Sequence, residues 1–305
     1  VARAVVIGAN GFIGSHLVDG LAAAGHEVRA FDRFSSREPT FEAAAEVMVG
    51  EFLSRGDIES AVSGQEYVFH FLSTTTPATA ESDPTLDIRT NVAQTIELLE
   101  ASVQAGVRRV YFASTGGAIY GDQGMSVYSE SDPTAPASPY AIGKLAIEQY
   151  LRFFRVKHGL ASTALRISNP YGTRQHPSKK QGLIPIALRQ ILTGQPVVQF
   201  GDGTMVRDYL YVEDLVRLIL PMVGSEPEHA VYNIGSGAGH SVNDVLDSLR
   251  RVTGIDFAVE RREKPPTFVD HVVLDTSRYE AQYGGLDLTP LDEGIRRTYN
   301  EMKGE

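Results

Sequence analysis

The chain has 305 residues, 42% of them hydrophobic and 22% charged, and its 28 Lys and Arg against 38 Asp and Glu give a net charge of −10. That is ordinary globular composition, enough for one large domain or two modest ones, and the acidic balance argues against a general nucleic-acid-binding surface. Without cysteine there is no disulfide, thiol nucleophile or thiolate metal site; the histidines form no metal signature, no apolar run reaches the length of a bilayer, the first residues read as a strand and not a signal peptide, and the cytoplasm is the expected location.

The run 4–7 reads as a strand buried in a parallel sheet. Gly8-Ala9-Asn10-Gly11-Phe12-Ile13-Gly14 follows, then a helical apolar period over 13–24 that ends at Gly25. A second short strand, 27–31, is closed by Asp32. Glycines at this spacing allow a tight turn, close approach of backbone to a pyrophosphate, and close helix–strand packing, with the helix N-terminus facing the negative charge. Asp32 lies 18 residues after Gly14, where an acid meets a ribose hydroxyl and repels a 2′-phosphate. This favours NAD, although the adjacent Arg33 is a group that can serve NADP.

Further strands are expected at 46–49, 67–71, 109–113 and 162–166, and helices at 55–62, 84–105 and 139–158. Such alternation predicts an α/β fold, a doubly wound parallel (Rossmann) sheet with helices on both faces. After Asn169 the pattern loosens, with helices at 183–193, 212–223 and 242–253. The division expected is a dinucleotide-binding domain over 1–168 and a smaller C-terminal α/β substrate domain over 169–305. Some segments return to the first domain, and a cleft lies between the two.

The helix at 139–158 opens on Ser138-Pro139-Tyr140-Ala141-Ile142-Gly143-Lys144. A spacing of four places Tyr140 and Lys144 on one face, one turn apart. A free tyrosine titrates near about 10, so a phenolate base at neutral pH calls for a drop of roughly three units, about 4 kcal/mol. The Lys144 ammonium is expected to supply part of that drop.

With these motifs the chain resembles the extended short-chain dehydrogenase/reductase family, and within it the NAD-dependent nucleotide-sugar epimerases of the UDP-glucose 4-epimerase type. The likeness spans nearly the whole length. It includes His70-Phe71-Leu72-Ser73, Asn91, Ser114-Thr115-Gly116-Gly117-Ala118-Ile119-Tyr120-Gly121, Arg166-Ile167-Ser168-Asn169-Pro170-Tyr171-Gly172, Phe200-Gly201-Asp202-Gly203, Val206-Arg207-Asp208-Tyr209 and Tyr232-Asn233-Ile234-Gly235.

The resemblance implies C4 epimerisation of a UDP-linked hexose through a 4-keto sugar. Tyr140 is the base, Lys144 holds the ribose and keeps Tyr140 ionised, and Thr115, or else Ser114, bridges the sugar oxygen. It further implies an NAD site made of Gly8, Asn10, Gly11, Phe12, Ile13, Gly14, Asp32 and Arg33. Glu51 and Phe52 stand beside adenine. Phe71, Leu72, Ser73, Ala113, Ser114 and Ile167 line the remainder, and Asn91 is read as structural. For the substrate it implies Asn169, Leu183, Val198, Phe200 and Arg207, the last as a planar phosphate clamp. Relatives carry an Arg and, three residues later, an Asp where this chain has Pro265 and Phe268; Arg262 and Asp270 are the nearby candidates to replace them. Gln94 likewise stands where a Gly is frequent. Thr74, Lys179 and Lys180 are expected to bear on sugar choice, and His176 could touch the sugar.

Sugar dehydratases usually carry an Asp-Glu pair after the catalytic hydroxyl, where this chain has Gly116 and Gly117. Decarboxylating relatives carry a Glu near Ala118, and epimerase-reductases use a Cys that is absent here. Simple redox epimerisation therefore leads. The alternatives are a dehydratase, decarboxylase or dehydrogenase of the same family, or a non-catalytic dinucleotide sensor. The resemblance also implies a homodimer formed by the helices at 84–105 and 139–158, while the acidic balance and the short apolar runs lead to the expectation of no nucleic-acid or membrane partner.

Overall fold

The computed structural model describes residues 1–35, 38–175 and 182–304. In chain order the strands are β1 (Arg3–Ile7), β2 (Glu27–Asp32), β3 (Glu46–Val49), β4 (Tyr67–His70), β5 (Arg109–Thr115), β6 (Val127–Tyr128), β7 (Ala161–Ile167), β8 (Asn169–Tyr171), β9 (Val197–Phe200), β10 (Val206–Tyr211), β11 (Val231–Ile234), β12 (Gly239–Ser241), β13 (Val259–Arg262) and β14 (His271–Leu274). The helices are α1 (Phe12–Ala23), α2 (Arg55–Val62), α3 (Pro77–Ser82), α4 (Pro84–Asp87), α5 (Ala93–Gln104), α6 (Pro139–His158), α7 (Leu183–Leu192), α8 (Val212–Ile219), α9 (Val242–Thr253), α10 (Ser277–Tyr283) and α11 (Leu291–Lys303). They form two compact units, Val1–Thr115, Pro136–Arg166 and Val216–Tyr232 in one, and Gly116–Ala135, Ile167–Leu215 and Asn233–Glu305 in the other.

The first unit is built on a parallel seven-stranded sheet in the order β11-β7-β5-β4-β1-β2-β3. Side chains alternate across it. Val5, Ile7, Val68, Val110 and Phe112 join Ile58, Leu98, Leu99, Ile147 and Leu151 in one core, so α2, α5 and α6 cover that face. Ala4, Val6, Phe69 and Tyr111 are equally buried on the opposite face, where α1 packs and the Tyr111 hydroxyl donates to the Met222 carbonyl. Covering both faces is what makes these strands read as continuous apolar runs. Chain order reverses between β1 and β4, the switch point at which such sheets bind ligands beyond their strand ends.

Two local departures from the expected elements border that end of the sheet. Between the strand expected to end at 71 and the helix expected from 84, where no element is expected, lies α3, because Thr76 and Thr79 form a reciprocal capping box and Pro77 fills the first helical position. The helix expected over 84–105 is interrupted by a π-helical turn, Ile88–Val92. Asn91 sits in that turn and ties it to the chain after β4, a local distortion that apolar periodicity does not register.

The second unit has a sheet in the order β12-β10-β14-β6 with β8 also paired to β10, and a separate β13-β9 ladder. Its core joins α7, α9 and α11 through Leu188, Leu246, Leu249 and Ile295. No helix among the described residues is long and apolar enough to cross a membrane.

Candidate functional site

At the end of β1 the chain turns through Gly8, whose φ of +92° suits glycine. A Cβ on Gly14 would lie 2.0 Å from the Gly8 carbonyl oxygen, so the third glycine is required for the helix to start this close to the strand. Gly11 caps α1 without a side-chain hydrogen bond, and the first turn holds no acid. The opening amides around Phe12 and Ile13 thus remain for an anion. This cradle fits a dinucleotide pyrophosphate. Asp32, at the end of β2, accepts from the backbone N–H of Asn10 (3.0 Å) and of Arg33 (2.7 Å). Asn10 in turn accepts from the Thr40 amide and hydroxyl.

Phe71 and Leu72 are half-buried and Ser73 is exposed, its hydroxyl donating to the Thr75 carbonyl. Glu51 is exposed and its amide donates to Asp57. Phe52 differs from expectation: its ring is buried in the core, 5.2 Å from that of His70, which leaves only its backbone to flank an adenine. The His70 Nε2 lies 2.8 Å from the Thr95 hydroxyl, and burial brings this imidazole down to about 3, a packed neutral side chain.

The Ser138 hydroxyl accepts from the Ala141 amide and Pro139 follows it, so α6 begins at the reactive pair. Lys144 is buried, with Nζ donating to the Ala113 carbonyl at 2.8 Å and lying 5.6 Å from the centre of the Tyr140 ring. β5 runs to Thr115, two residues beyond the expected end, and so brings Ala113, Ser114 and Thr115 to this place. The Ser114 hydroxyl is committed to Glu148 at 2.6 Å, and Glu148 is also held by Arg166. Ser114 therefore cannot bridge a sugar oxygen without breaking a buried bond, whereas the Thr115 hydroxyl makes no hydrogen bond among the described residues.

The electrostatics correct one expectation. Burial, reinforced by the Asp87 carboxylate, pushes the Tyr140 phenol up to about 12 and not down. Burial brings Lys144 down to about 8, with Asp87 opposing. The ammonium is turned to the Ala113 carbonyl, and its pull on the phenol does not outweigh desolvation. Asp87 escaped the sequence reading. Its carboxylate is 3% exposed and accepts from the Thr75 hydroxyl and from the Asn91 amide at 2.9 Å. Asn91 also accepts from the amide and hydroxyl of Thr74, so it bridges the chain after β4 to the π turn. The available signal was a carboxylate one turn ahead of Asn91 in an apolar helix.

The substrate candidates Asn169, Leu183, Val198, Phe200, Arg207, Arg262 and Asp270 fall in the second unit. Asn169 donates to the Asp208 carbonyl at 3.1 Å. Leu183 opens α7, half-buried, and Val198 and Phe200 lie on β9. Arg207 donates to the carbonyls of Val206 and Val269 and, among the described residues, to no carboxylate, so its charge is oriented without an ion pair there. Arg262 is exposed and paired with Glu260 at 2.8 Å, and Asp270 accepts from Lys264. Each is engaged in a surface ion pair that a ligand would have to displace. Phe268, in the place of that Asp, meets the Phe200 ring at 5.6 Å. Ile167 is buried and its carbonyl accepts from the Gly116 amide. His176, Lys179 and Lys180 lie outside the described residues.

A glycine turn after β1 that suits a pyrophosphate, and a Tyr–Lys pair on α6 whose lysine reaches β5, are the marks of a dinucleotide-binding fold equipped for proton-coupled hydride chemistry. The chain belongs to the NAD dependent epimerase/dehydratase family, whose profile matches residues 4–235. It is 34% identical to a UDP-glucose 4-epimerase of Mycolicibacterium smegmatis, covering 97% of each chain. Among solved structures it resembles the UDP-glucose 4-epimerase of Thermotoga maritima crystallised with UDP-glucose (TM-score 0.93, 34% identity, 99% of each chain). It also resembles the UDP-glucose 4-epimerase of Thermus thermophilus in complex with NAD (TM-score 0.91, 32% identity, 99% of each chain).

Proposed function

We propose that this chain is an NAD-dependent epimerase that inverts C4 of a UDP-linked hexose through a transient 4-keto sugar. The observation that carries the reading is the set of Tyr140, Lys144 and a Thr115 hydroxyl without a hydrogen bond among the described residues, followed in sequence by Gly116 and Gly117 in place of an acid–base pair. Thr115 orients the C4 oxygen. Tyr140 takes the hydroxyl proton as C4 is oxidised and returns it when C4 is reduced on its other face. Lys144 stays protonated at neutral pH, since its titration lies near about 8. Asp32 and the α1 N-terminus hold the ribose and pyrophosphate. NAD, when bound, supplies the reversible hydride acceptor and a positively charged ring that lowers the cost of a phenolate. That Arg207 has no ion-pair partner among the described residues supports its use as the diphosphate clamp.

The test is direct. Purified protein is incubated without added cofactor with UDP-glucose, UDP-N-acetylglucosamine, UDP-glucuronate and dTDP-glucose, and products are read by proton NMR. The expected result is a mixture of C4 epimers from at least one UDP-sugar. A 4-keto-6-deoxy product, or NADH formed in proportion to sugar, would overturn the reading in favour of a dehydratase or a dehydrogenase.

A homodimer belongs to the same reading. α6 leaves Ile142, Phe153 and Val156 53%, 46% and 81% exposed, and Ile88 of the adjoining π turn is 57% exposed. Positions 142, 153 and 156 share one helix face, and exposed large apolar side chains gathered on one face are what an association surface needs. Sedimentation is expected to give a dimer, and the double variant Phe153→Glu, Val156→Glu a folded monomer; a monomeric parent protein rejects the assignment.

A further inference from the structure

Asp87 has no part in the chemistry above, yet the reactive helix is shaped around it. Within Tyr140-Ala141-Ile142-Gly143-Lys144 the position without a side chain is Gly143, and a Cβ there would lie 2.1 Å from Asp87 Oδ2. The other carboxylate oxygen is fixed by the Thr75 hydroxyl and the Asn91 amide, neither of which carries charge. A buried carboxylate is costly unless a cation lies near it. The cation on the facing helix is Lys144, itself buried. Asp87 acts on both members of the pair, supporting the charge of Lys144 and opposing that of the Tyr140 phenolate. The other groups about it are Glu81 of α3, exposed, and Asp83 and Arg89 of its own segment, half-buried and exposed. From β4, neutral His70 lies toward Lys144.

We propose that Asp87 is a positioning residue which, through the gap left by Gly143, holds the resting pair as Lys144 ammonium and Tyr140 phenol. The inference rests on the proposed roles of Tyr140 and Lys144. Removing the anion eases ionisation of the phenol and loss of the ammonium proton, so both transitions move to lower pH.

Asp87→Asn keeps the shape and the Oδ1 acceptor and removes the charge. Tyrosinate absorbance, taken as the difference between each protein and its Tyr140→Phe counterpart, isolates the Tyr140 titration without any need for turnover. In Asp87→Asn its midpoint is expected to fall by roughly one unit or more, and both limbs of the kcat/KM profile to move acidward with it. Unmoved midpoints, with lower amplitude or stability alone, overturn the proposal. Thr75→Val loosens the same carboxylate while leaving its charge, and is expected to keep the midpoints in place. Should Asp87→Asn fail to fold, Gly143→Ala displaces the carboxylate with its Cβ and is expected to shift them in the same direction by less. A midpoint that moves in a protein that converts no sugar sinks the epimerase reading alone; turnover with a midpoint that stays put sinks the role of Asp87 alone.

Discussion

Tyr140→Phe is expected to lower kcat by about 10³-fold or more, within the range a positioned acid–base group contributes, while leaving bound NAD in place. Burial and Asp87 push the phenol up to about 12, so forming the phenolate at pH 7 costs about 7 kcal/mol. A group that difficult to ionise is effective only when substrate and cofactor are present, and no neighbour offers a substitute. His70 is neutral and packed, Ser114 is tied to Glu148, and Lys144 donates to a carbonyl. Phenylalanine keeps the ring against Lys144 and removes the oxygen that moves the proton. Single-turnover rates, paired with chromatographic measurement of NAD released on denaturation, separate the two effects. Turnover within tenfold of the parent protein would mean that another group is the base. Full biological function in the absence of turnover would favour the dinucleotide sensor.

The dinucleotide half was legible because its constraints are local. Gly11 and Gly14 answer to the Gly8 carbonyl within one turn, and helical apolar periods bounded by capping residues mark α2 and α6, which fall where the sequence places them. Four-residue spacing likewise gave the Tyr140–Lys144 face. What the sequence did not disclose depends on partners far away in the chain. The upward push on Tyr140 comes from burial and from Asp87, 53 residues earlier. The choice between Ser114 and Thr115 turns on Glu148, 34 residues later. The short strands of the second unit alternate too briefly to stand out from loops. The π turn at Ile88–Val92 inserts a residue that helical periodicity cannot show.

Breaking the Glu148–Arg166 pair is expected to destabilise the protein by about 3–5 kcal/mol, the usual effect of leaving one buried charge without its partner. Arg166 donates through Nε to Oε1 at 3.1 Å and through Nη2 to Oε2 at 2.8 Å, with the side chains 7% and 4% exposed. Glu148 follows Lys144 by one turn on the face that carries Tyr140, and it joins α6 to Ser114 of β5 and Arg166 of β7. The pair thereby fixes the height of the reactive residues along the helix over the strand that ends in Thr115. Replacing Glu148 by Ala or Arg166 by Ala should each shift the urea midpoint strongly. Glu148→Leu with Arg166→Met, which removes both charges and fills the space, should recover most of the stability. Its kcat should stay depressed, because apolar contact sets no fixed height for α6. A double-mutant cycle in Glu148→Ala and Arg166→Ala measures the coupling. A coupling energy below about 0.5 kcal/mol, the level found for independent sites, would show that the two side chains act separately and that α6 is held in place by its apolar core instead.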